Sequence, residues 1–342
     1  MRLIYDFSFP DLASLLLEWD EPSYRAHQIW KGLYRNFWNV PTLFTQLPNR
    51  LRLKLAGTLY FDALTPAAIH QSSDKQTIKT LFKLHDSLAI EAVLMKYDQR
   101  HTLCVSTQVG CAMGCVFCAT GQMGFKRHLS CGEIVAQVMY YARMLAAENE
   151  VVTNVVVMGM GEPFHNYDNT MEAIDRLNDP QGYNFGARRF TISTVGLVPV
   201  ILRFAEEKRQ VNLAISLHAA DDGLRASMLP VAKRYPIDEL LTACHKYVTA
   251  TGRRITFEWA LVNGVNDTPE QAHLLAEKLH GLICHVNAIP LNPTPSYAGQ
   301  ATTRKRAEMF RDILTRSGVP CTIRLRRGLD ICAGCGQLIS NI

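Results

Sequence analysis

The chain has 342 residues, with 36 Lys and Arg against 31 Asp and Glu for a formal charge of +5, and a hydrophobic fraction of 48%. This composition excludes intrinsic disorder and fibrous repeats, and it suffices for one large α/β domain with a small accessory unit. A surplus of +5 over this length does not by itself demonstrate a nucleic-acid partner.

Residues 1–70 carry helical signals and many aromatics, among them Trp19, Tyr24, Trp30, Tyr34, Phe37 and Trp38, and read as a small helical accessory domain with room for RNA contact. The polar break Gln71-Ser72-Ser73-Asp74 opens a β-hairpin extension over 71–100. Its first strand alternates Ile78, Thr80, Phe82 and Leu84, Asp86-Ser87 makes the turn, and Ile90–Lys96 forms the second strand. Over 101–326, β-rich runs alternate with amphipathic helices: Thr102–Ser106, Asn154–Met158, Arg189–Thr194, Val211–Leu217, Arg254–Leu261, His285–Leu291 and Cys321–Leu325. Ser130 to Glu133 fits a capping box, Thr268-Pro269 a cap before an N1 proline, and Gly252 and Gly318 fit helix stops. Consecutive βα units imply a parallel sheet, either an open barrel or a doubly wound sheet, with chemistry in the loops at the C-terminal strand ends. Residues 327–342 read as a mobile tail, because Cys335 lies between two glycines near the end of the chain.

Ten cysteines need a reason. Asp6 interrupts the first apolar stretch, so no signal-peptide core is present, and no apolar run is long enough to span a bilayer. A reducing, cytoplasmic location without membrane attachment is expected, where thiols serve as ligands, catalysts or core residues.

Cys111, Cys115 and Cys118 follow the first barrel-type strand in C-x3-C-x2-C spacing. Three thiolates suit a [4Fe-4S] cluster with one open iron better than a structural zinc, whose fourth ligand has to come from Cys104 or His128. The spacing is the signature of the radical S-adenosylmethionine superfamily. Met158-Gly159-Met160-Gly161-Glu162-Pro163 follows the second strand, where glycines permit close backbone approach and a carboxylate can hold an ammonium group. Ser193, Ser216-Leu217-His218 and Asn292 stand at later strand ends. Each alone reads as a cap or a core residue, and their weight comes from co-location.

Across almost its whole length the chain resembles the RlmN/Cfr family of radical-SAM ribosomal RNA adenine methyltransferases. The motifs that carry the resemblance are Cys104-Val-Ser-Thr-Gln-Val-Gly-Cys111, the cysteine triplet with Ala119-Thr120-Gly121, Gly159-Met160-Gly161-Glu162, Ser193-Thr194, Ser216-Leu217-His218, Gly264-Val265-Asn266-Asp267, Asn292-Pro293 and Ala333-Gly334-Cys335-Gly336-Gln337-Leu338. The resemblance implies an α/β fold: a partial (β/α)6 radical-SAM barrel with the small helical domain and the catalytic tail. It further implies one [4Fe-4S] cluster on Cys111, Cys115 and Cys118, with S-adenosylmethionine at the open iron and two S-adenosylmethionine molecules per turnover. Gly161, Glu162, Ser193, Ser216, Leu217, His218 and Asn292 are expected around that cofactor.

In the mechanism so implied, Cys335 is methylated first and a 5′-deoxyadenosyl radical then removes a hydrogen from its methyl group. The methylene radical adds to an adenine carbon, Glu91 accepts a proton, and Cys104 resolves the crosslink as a disulfide with Cys335. Without the resemblance, Glu91 reads as a strand-end surface carboxylate. The expected substrates are 23S ribosomal RNA and also transfer RNA, and the expected electron donor is a flavodoxin or ferredoxin acting on a monomer. Glu162-Pro163 and the Gly264 motif favour carbon 2. Met228-Leu229-Pro230 and Tyr235-Pro236-Ile237-Asp238 are reminiscent of the carbon 8, antibiotic-resistance branch.

Cys332 departs from the family, which usually has an acidic residue there, and is expected to be a bystander. Cys131, Cys244, Cys284 and Cys321 are expected in packing. Basic residues cluster at Arg25, Lys31 and Arg35, at Lys126-Arg127, Arg188-Arg189, Arg253-Arg254, Arg304-Lys305-Arg306, and at Arg324 with Arg326-Arg327. The Lys126 and Arg326 groups, nearest the catalytic elements, are expected to meet RNA phosphates with strongly salt-dependent affinity. Trp30 and Tyr34, one helical turn apart, are expected in the core. Two other readings are a non-catalytic zinc-dependent RNA-binding protein and a thiol-disulfide oxidoreductase using Cys332 and Cys335.

Overall fold

The alternating runs form a single ten-stranded sheet in a computed structural model that describes residues 1–339. Its strands are β1 Thr65–Gln71, β2 Thr77–Lys83, β3 Ala89–Tyr97, β4 Arg100–Cys104, β5 Asn154–Val157, β6 Phe190–Thr194, β7 Asn212–Ser216, β8 Ile255–Leu261, β9 Cys284–Pro290 and β10 Cys321–Ile323. Strands β1 to β4 pair antiparallel and β4 to β10 pair parallel, each beside its neighbour in sequence. A doubly wound sheet reverses its winding direction partway, whereas this order never does, so the open barrel is the correct alternative. The hairpin continues the barrel sheet, and its first strand begins at Thr65, inside the stretch expected to be helical.

Helices α1 Phe9–Glu18, α2 Tyr24–Tyr34 and α3 Asn49–Thr58 make the N-terminal layer. Trp30 and Tyr34 are buried there as expected, and the Trp30 indole donates to Asp179 at 2.7 Å. The crossover helices are α4 Cys131–Ala146, α5 Tyr167–Asn178, α6 Val198–Glu206, α7 Ile237–Thr251, α8 Pro269–Lys278 and α9 Arg304–Arg316. Ser130 and Glu133 form the expected reciprocal cap, Thr268 accepts from the Gln271 amide, and Gly252 ends α7 at φ 66°. A second capping box, Ser8 with Asp11, has the same spacing with Asp in place of Glu.

Residues 328–339 of the tail are docked. The Ala119 amide donates to Gly336 O (2.7 Å), Thr120 Oγ1 to Leu338 O (2.8 Å), Asn292 Nδ2 to Cys335 O (3.0 Å) and Gln337 Nε2 to Pro293 O (2.9 Å). The expectation of mobility for 340–342 lies outside the described residues. Among the described residues no helix is long and apolar enough to cross a membrane.

Candidate functional site

Because β4 to β10 run parallel, their C-terminal ends open on one mouth. Cys111, Cys115 and Cys118 follow β4, Gly161 and Glu162 follow β5, Ser193 and Ser216 lie on the last turns of β6 and β7, and His218 and Asn292 follow β7 and β9. A cavity of about 960 Å³, taken out to its opening, is lined by all of these and by Phe117, Glu258 and Cys335. The strand-end residues that looked unremarkable one at a time are therefore brought together. Leu217 is the exception: its side chain is buried away from the cavity, and only its amide takes part, donating to Glu258 O at 3.1 Å.

A second chamber of about 610 Å³ adjoins the first and shares Met158, Ile289, Asn292 and Cys335 with it. Its remaining walls include Cys104, Tyr97, Arg324, Leu325, Arg326 and Arg327. Cys335 thus faces both spaces, accessible from the cavity although protein surrounds it. A side chain at Gly334 would strike Asn292 Nδ2 at 2.6 Å, so the close fit of the tail requires glycine there. All ten cysteines are free thiols in this structure.

Glu162 is buried, and its carboxylate accepts from the amides of Phe164 and Val195, both at 2.9 Å. Burial pushes its carboxyl up to about 7. The loop before it is held by Gln108, whose Oε1 accepts from the Glu162 amide at 2.8 Å; Gly161 has φ 103° and leaves no room for a Cβ beside Gln108. His218 accepts the Ala260 amide on Nδ1 at 2.9 Å, stands edge-on to Phe117, and is pushed down to about 3 by burial, which keeps the imidazole neutral. Burial pushes Cys111 and Cys104 up to about 12, and Cys115 well above its ordinary value. Arg324 opposes that effect at Cys104 and at Cys335, whose thiol is also raised by burial.

Glu91 lines neither chamber. It is buried at the third residue of β3, which corrects the surface-carboxylate reading, and its two oxygens are engaged by Lys79 Nζ (2.9 Å) and the Ile339 amide (2.9 Å). Lys79 Nζ also donates to Cys332 O at 3.3 Å, so this buried pair fastens the tail. Lys79 and Glu258 escaped notice in the sequence. For Glu258 the available signal was an ionisable residue inside an otherwise apolar strand, Ile-Thr-Phe-Glu-Trp-Ala-Leu.

Arg127 is not free for phosphate as expected: its guanidinium is bidentate on Glu133, at 2.8 Å and 2.8 Å, and also meets Asp86. Cys332 is exposed and lines neither chamber, while Cys131, Cys244, Cys284 and Cys321 are buried in the core. Cys332→Ser is expected to leave RNA methylation within about twofold of the parent, since surface substitutions away from a site change little. A severe loss with RNA binding intact would assign Cys332 a part in the thiol chemistry.

Residues 105–276 match the family model of the Radical SAM superfamily. The chain is 48% identical over 346 residues to Dual-specificity RNA methyltransferase RlmN 1 of Myxococcus xanthus, covering 99% of this chain and 94% of that relative. The chain belongs to the RlmN family of radical-SAM RNA methyltransferases. A probable RlmN of Chloroflexus aurantiacus is 47% identical, with 98% of this chain and 92% of that one covered. The crystal structure of a radical SAM methyltransferase from Sphaerobacter thermophilus superposes with a TM-score of 0.98 at 50% identity over the full length of both chains. Membership of the superfamily implies a [4Fe-4S] cluster and S-adenosylmethionine.

The donor set fits that pair. Three thiols line one wall of the cavity, and Asn292 Oδ1 is buried without a hydrogen-bond partner among the described residues, an acceptor left for a ligand.

Proposed function

We propose that this RlmN-family enzyme methylates carbon 2 of adenine in 23S ribosomal RNA and in transfer RNA, with Cys335 as the carrier of the methyl group. The observation that carries the reading is the shared position of Cys335: one thiol borders both the cavity of the three cysteines and the chamber of Cys104.

Cys111, Cys115 and Cys118 would hold the cluster, which supplies the electron that cleaves S-adenosylmethionine to a 5′-deoxyadenosyl radical. Glu162 would take the methionine ammonium, a cation that favours the carboxylate and offsets the cost of burying it. The Ser193 and Ser216 hydroxyls, 3.3 Å apart, and Asn292 would hold the nucleoside and carboxylate. Neutral His218 and Phe117 wall the cavity and exclude water.

Cys335 accepts one methyl from S-adenosylmethionine as a thiolate, a form that Arg324 favours against burial. The methyl group on Cys335 would then give up a hydrogen to the radical derived from a second S-adenosylmethionine, and its carbon would bond to carbon 2 of the adenine, with one electron returned to the cluster and the carbon 2 proton released. The Cys104 thiolate, which borders the same chamber, would attack the Cys335 sulfur; the disulfide forms as the sulfur–carbon bond to the base breaks and that carbon takes up a proton, and an external thiol reductant would restore the pair. Glu91 reaches a substrate proton only after the Ile339 amide lets go of it. The need to reset two thiols supports a reducing, cytoplasmic location.

Anaerobic turnover of reconstituted protein with labelled S-adenosylmethionine and ribosomal RNA or transfer RNA, read by nucleoside mass spectrometry, is expected to give 2-methyladenosine. Appearance of 8-methyladenosine, or of no methylated nucleoside, would overturn the proposal.

Glu258 yields a separate expectation. Burial pushes its carboxyl from the ordinary 4.5 up to about 7, with Arg324 and the Asn287 amide (2.8 Å) acting in the opposite sense. The folded protein therefore binds a proton here that the unfolded chain has already lost between these values. The resulting stability is present below 4.5 and disappears as pH rises through 7. The urea midpoint of the cofactor-free protein should fall between about pH 5 and about pH 8, less so in Glu258→Gln. Equal slopes for the two proteins would contradict this.

A further inference from the structure

The outer rim of the Cys104 chamber gathers several arginines side by side. Arg324, Arg326 and Arg327 line it, and Arg100 stands next to it; none of the four forms an ion pair among the described residues, whereas Arg127, Arg209 and Arg306 are each held by carboxylates. Two of the nearby acids are engaged by the backbone: Asp330 accepts from the Ser73 amide at 2.7 Å and Asp74 from the Gln76 amide at 2.9 Å. Tyr97 holds two of the arginines, with the Arg327 guanidinium 4.3 Å and the Arg100 guanidinium 4.5 Å from its ring centre. Gln76 Oε1 accepts from Arg327 as well. Between Arg324 and Arg326, Leu325 is 81% exposed, the highest value among the large exposed apolar side chains, and it also lines the chamber.

Fixed cations with one apolar side chain between them suit a partner that combines phosphates with flat apolar faces. An acidic peptide offers no stack into which Leu325 fits, whereas an RNA strand does. Guanidinium planes and a leucine placed at a base step are known means of holding a strand open and accepting an extruded base. The chamber behind this rim is lined by Cys104 and Cys335, and its volume of about 610 Å³ is that of a small-ligand site. We propose that Tyr97, Arg100, Leu325 and Arg327 form an RNA-opening rim: the arginines, pre-oriented on Tyr97, take phosphates of the strand flanking the target, and Leu325 wedges into the gap left when the target adenine enters the chamber. The inference rests on the methyltransferase reading above and specifies how that site obtains an unstacked base.

The test uses reconstituted holoenzyme and an RNA stem-loop carrying 2-aminopurine beside the target adenine. With the parent, 2-aminopurine fluorescence rises on binding as its neighbour leaves the stack. Leu325→Ala is expected to lose most of that rise and to increase KM for RNA about fivefold or more, with kcat near the parent value and an unchanged salt dependence. Arg100→Ala and Arg327→Ala should each lower the slope of log affinity against log salt by about 1. Arg254→Ala, at a residue that lines neither chamber, should do neither, which separates a local rim from net charge. A Leu325→Ala enzyme that still forms methyladenosine with parental fluorescence and KM would overturn this inference alone. A parent that forms no methyladenosine would overturn the methyltransferase reading and this inference with it.

Discussion

Cys104→Ala is expected to reduce multiple turnover by more than about 1,000-fold while a covalent protein–RNA species accumulates, visible as a nuclease-sensitive shift on a denaturing gel. The reason is positional. Cys104 ends β4, paired across the sheet with Val93 on β3 and Val156 on β5, so the backbone cannot carry it elsewhere, and its thiol lines the chamber that Cys335 also borders. Removing it leaves the first part of the reaction intact, because every residue of the three-cysteine cavity stays in place. In the mechanism proposed above, what is lost is the thiol that would break the bond between Cys335 and the base. No other cysteine lines that chamber, and Cys332, although three residues from Cys335, points out of it. Sustained turnover by Cys104→Ala without an adduct would refute the assignment.

The second large effect concerns Lys79. Its ammonium and the Glu91 carboxylate meet at 2.9 Å with side chains only 8% and 5% exposed, on neighbouring strands where Leu81 lies opposite Glu91 and Val93 opposite Lys79. Removing one partner leaves the other as an unpaired buried charge, at a cost of about 3 kcal/mol or more, whereas removing both costs far less. Lys79→Met should therefore lower unfolding stability by about that amount, and the Lys79→Met/Glu91→Gln pair should recover most of it. Because Lys79 also bonds Cys332 O and Glu91 the Ile339 amide, the single variant should loosen the tail too, increasing protease sensitivity around residue 332. Urea denaturation of the parent, Lys79→Met, Glu91→Gln and the double variant decides the matter: additive losses would mean that the pair is not coupled.

Much of the site was legible because its chemistry is local in sequence. Three cysteines within eight residues, a glycine-rich turn ending in Glu162, and Ser216-Leu217-His218 are short motifs at strand ends, and their spacing alone restricts what they can bind. The parallel sheet was legible for a related reason, since β-branched runs separated by capped helices leave few topologies. Harder to read were residues whose role depends on a distant partner. Glu258 lies alone in an apolar strand, Lys79 shares a mixed strand with Lys83 and two threonines, and Glu91 resembles a surface carboxylate until β2 and the tail close over it. Arg127 looked free for phosphate because Asp86 and Glu133 reach it only through the fold.

The sequence by itself therefore determined the class of chemistry, the three-cysteine motif and the βα order, because each is encoded in contiguous residues and in periodicity. Only the tertiary structure decided that the sheet is singly wound, that Cys335 stands between two chambers, and which arginines remain unpaired. Those properties depend on pairings between residues tens to hundreds of positions apart. Burial supplies the rest: it raises the thiols, keeps His218 neutral and engages both oxygens of Glu91, and no local pattern reports it.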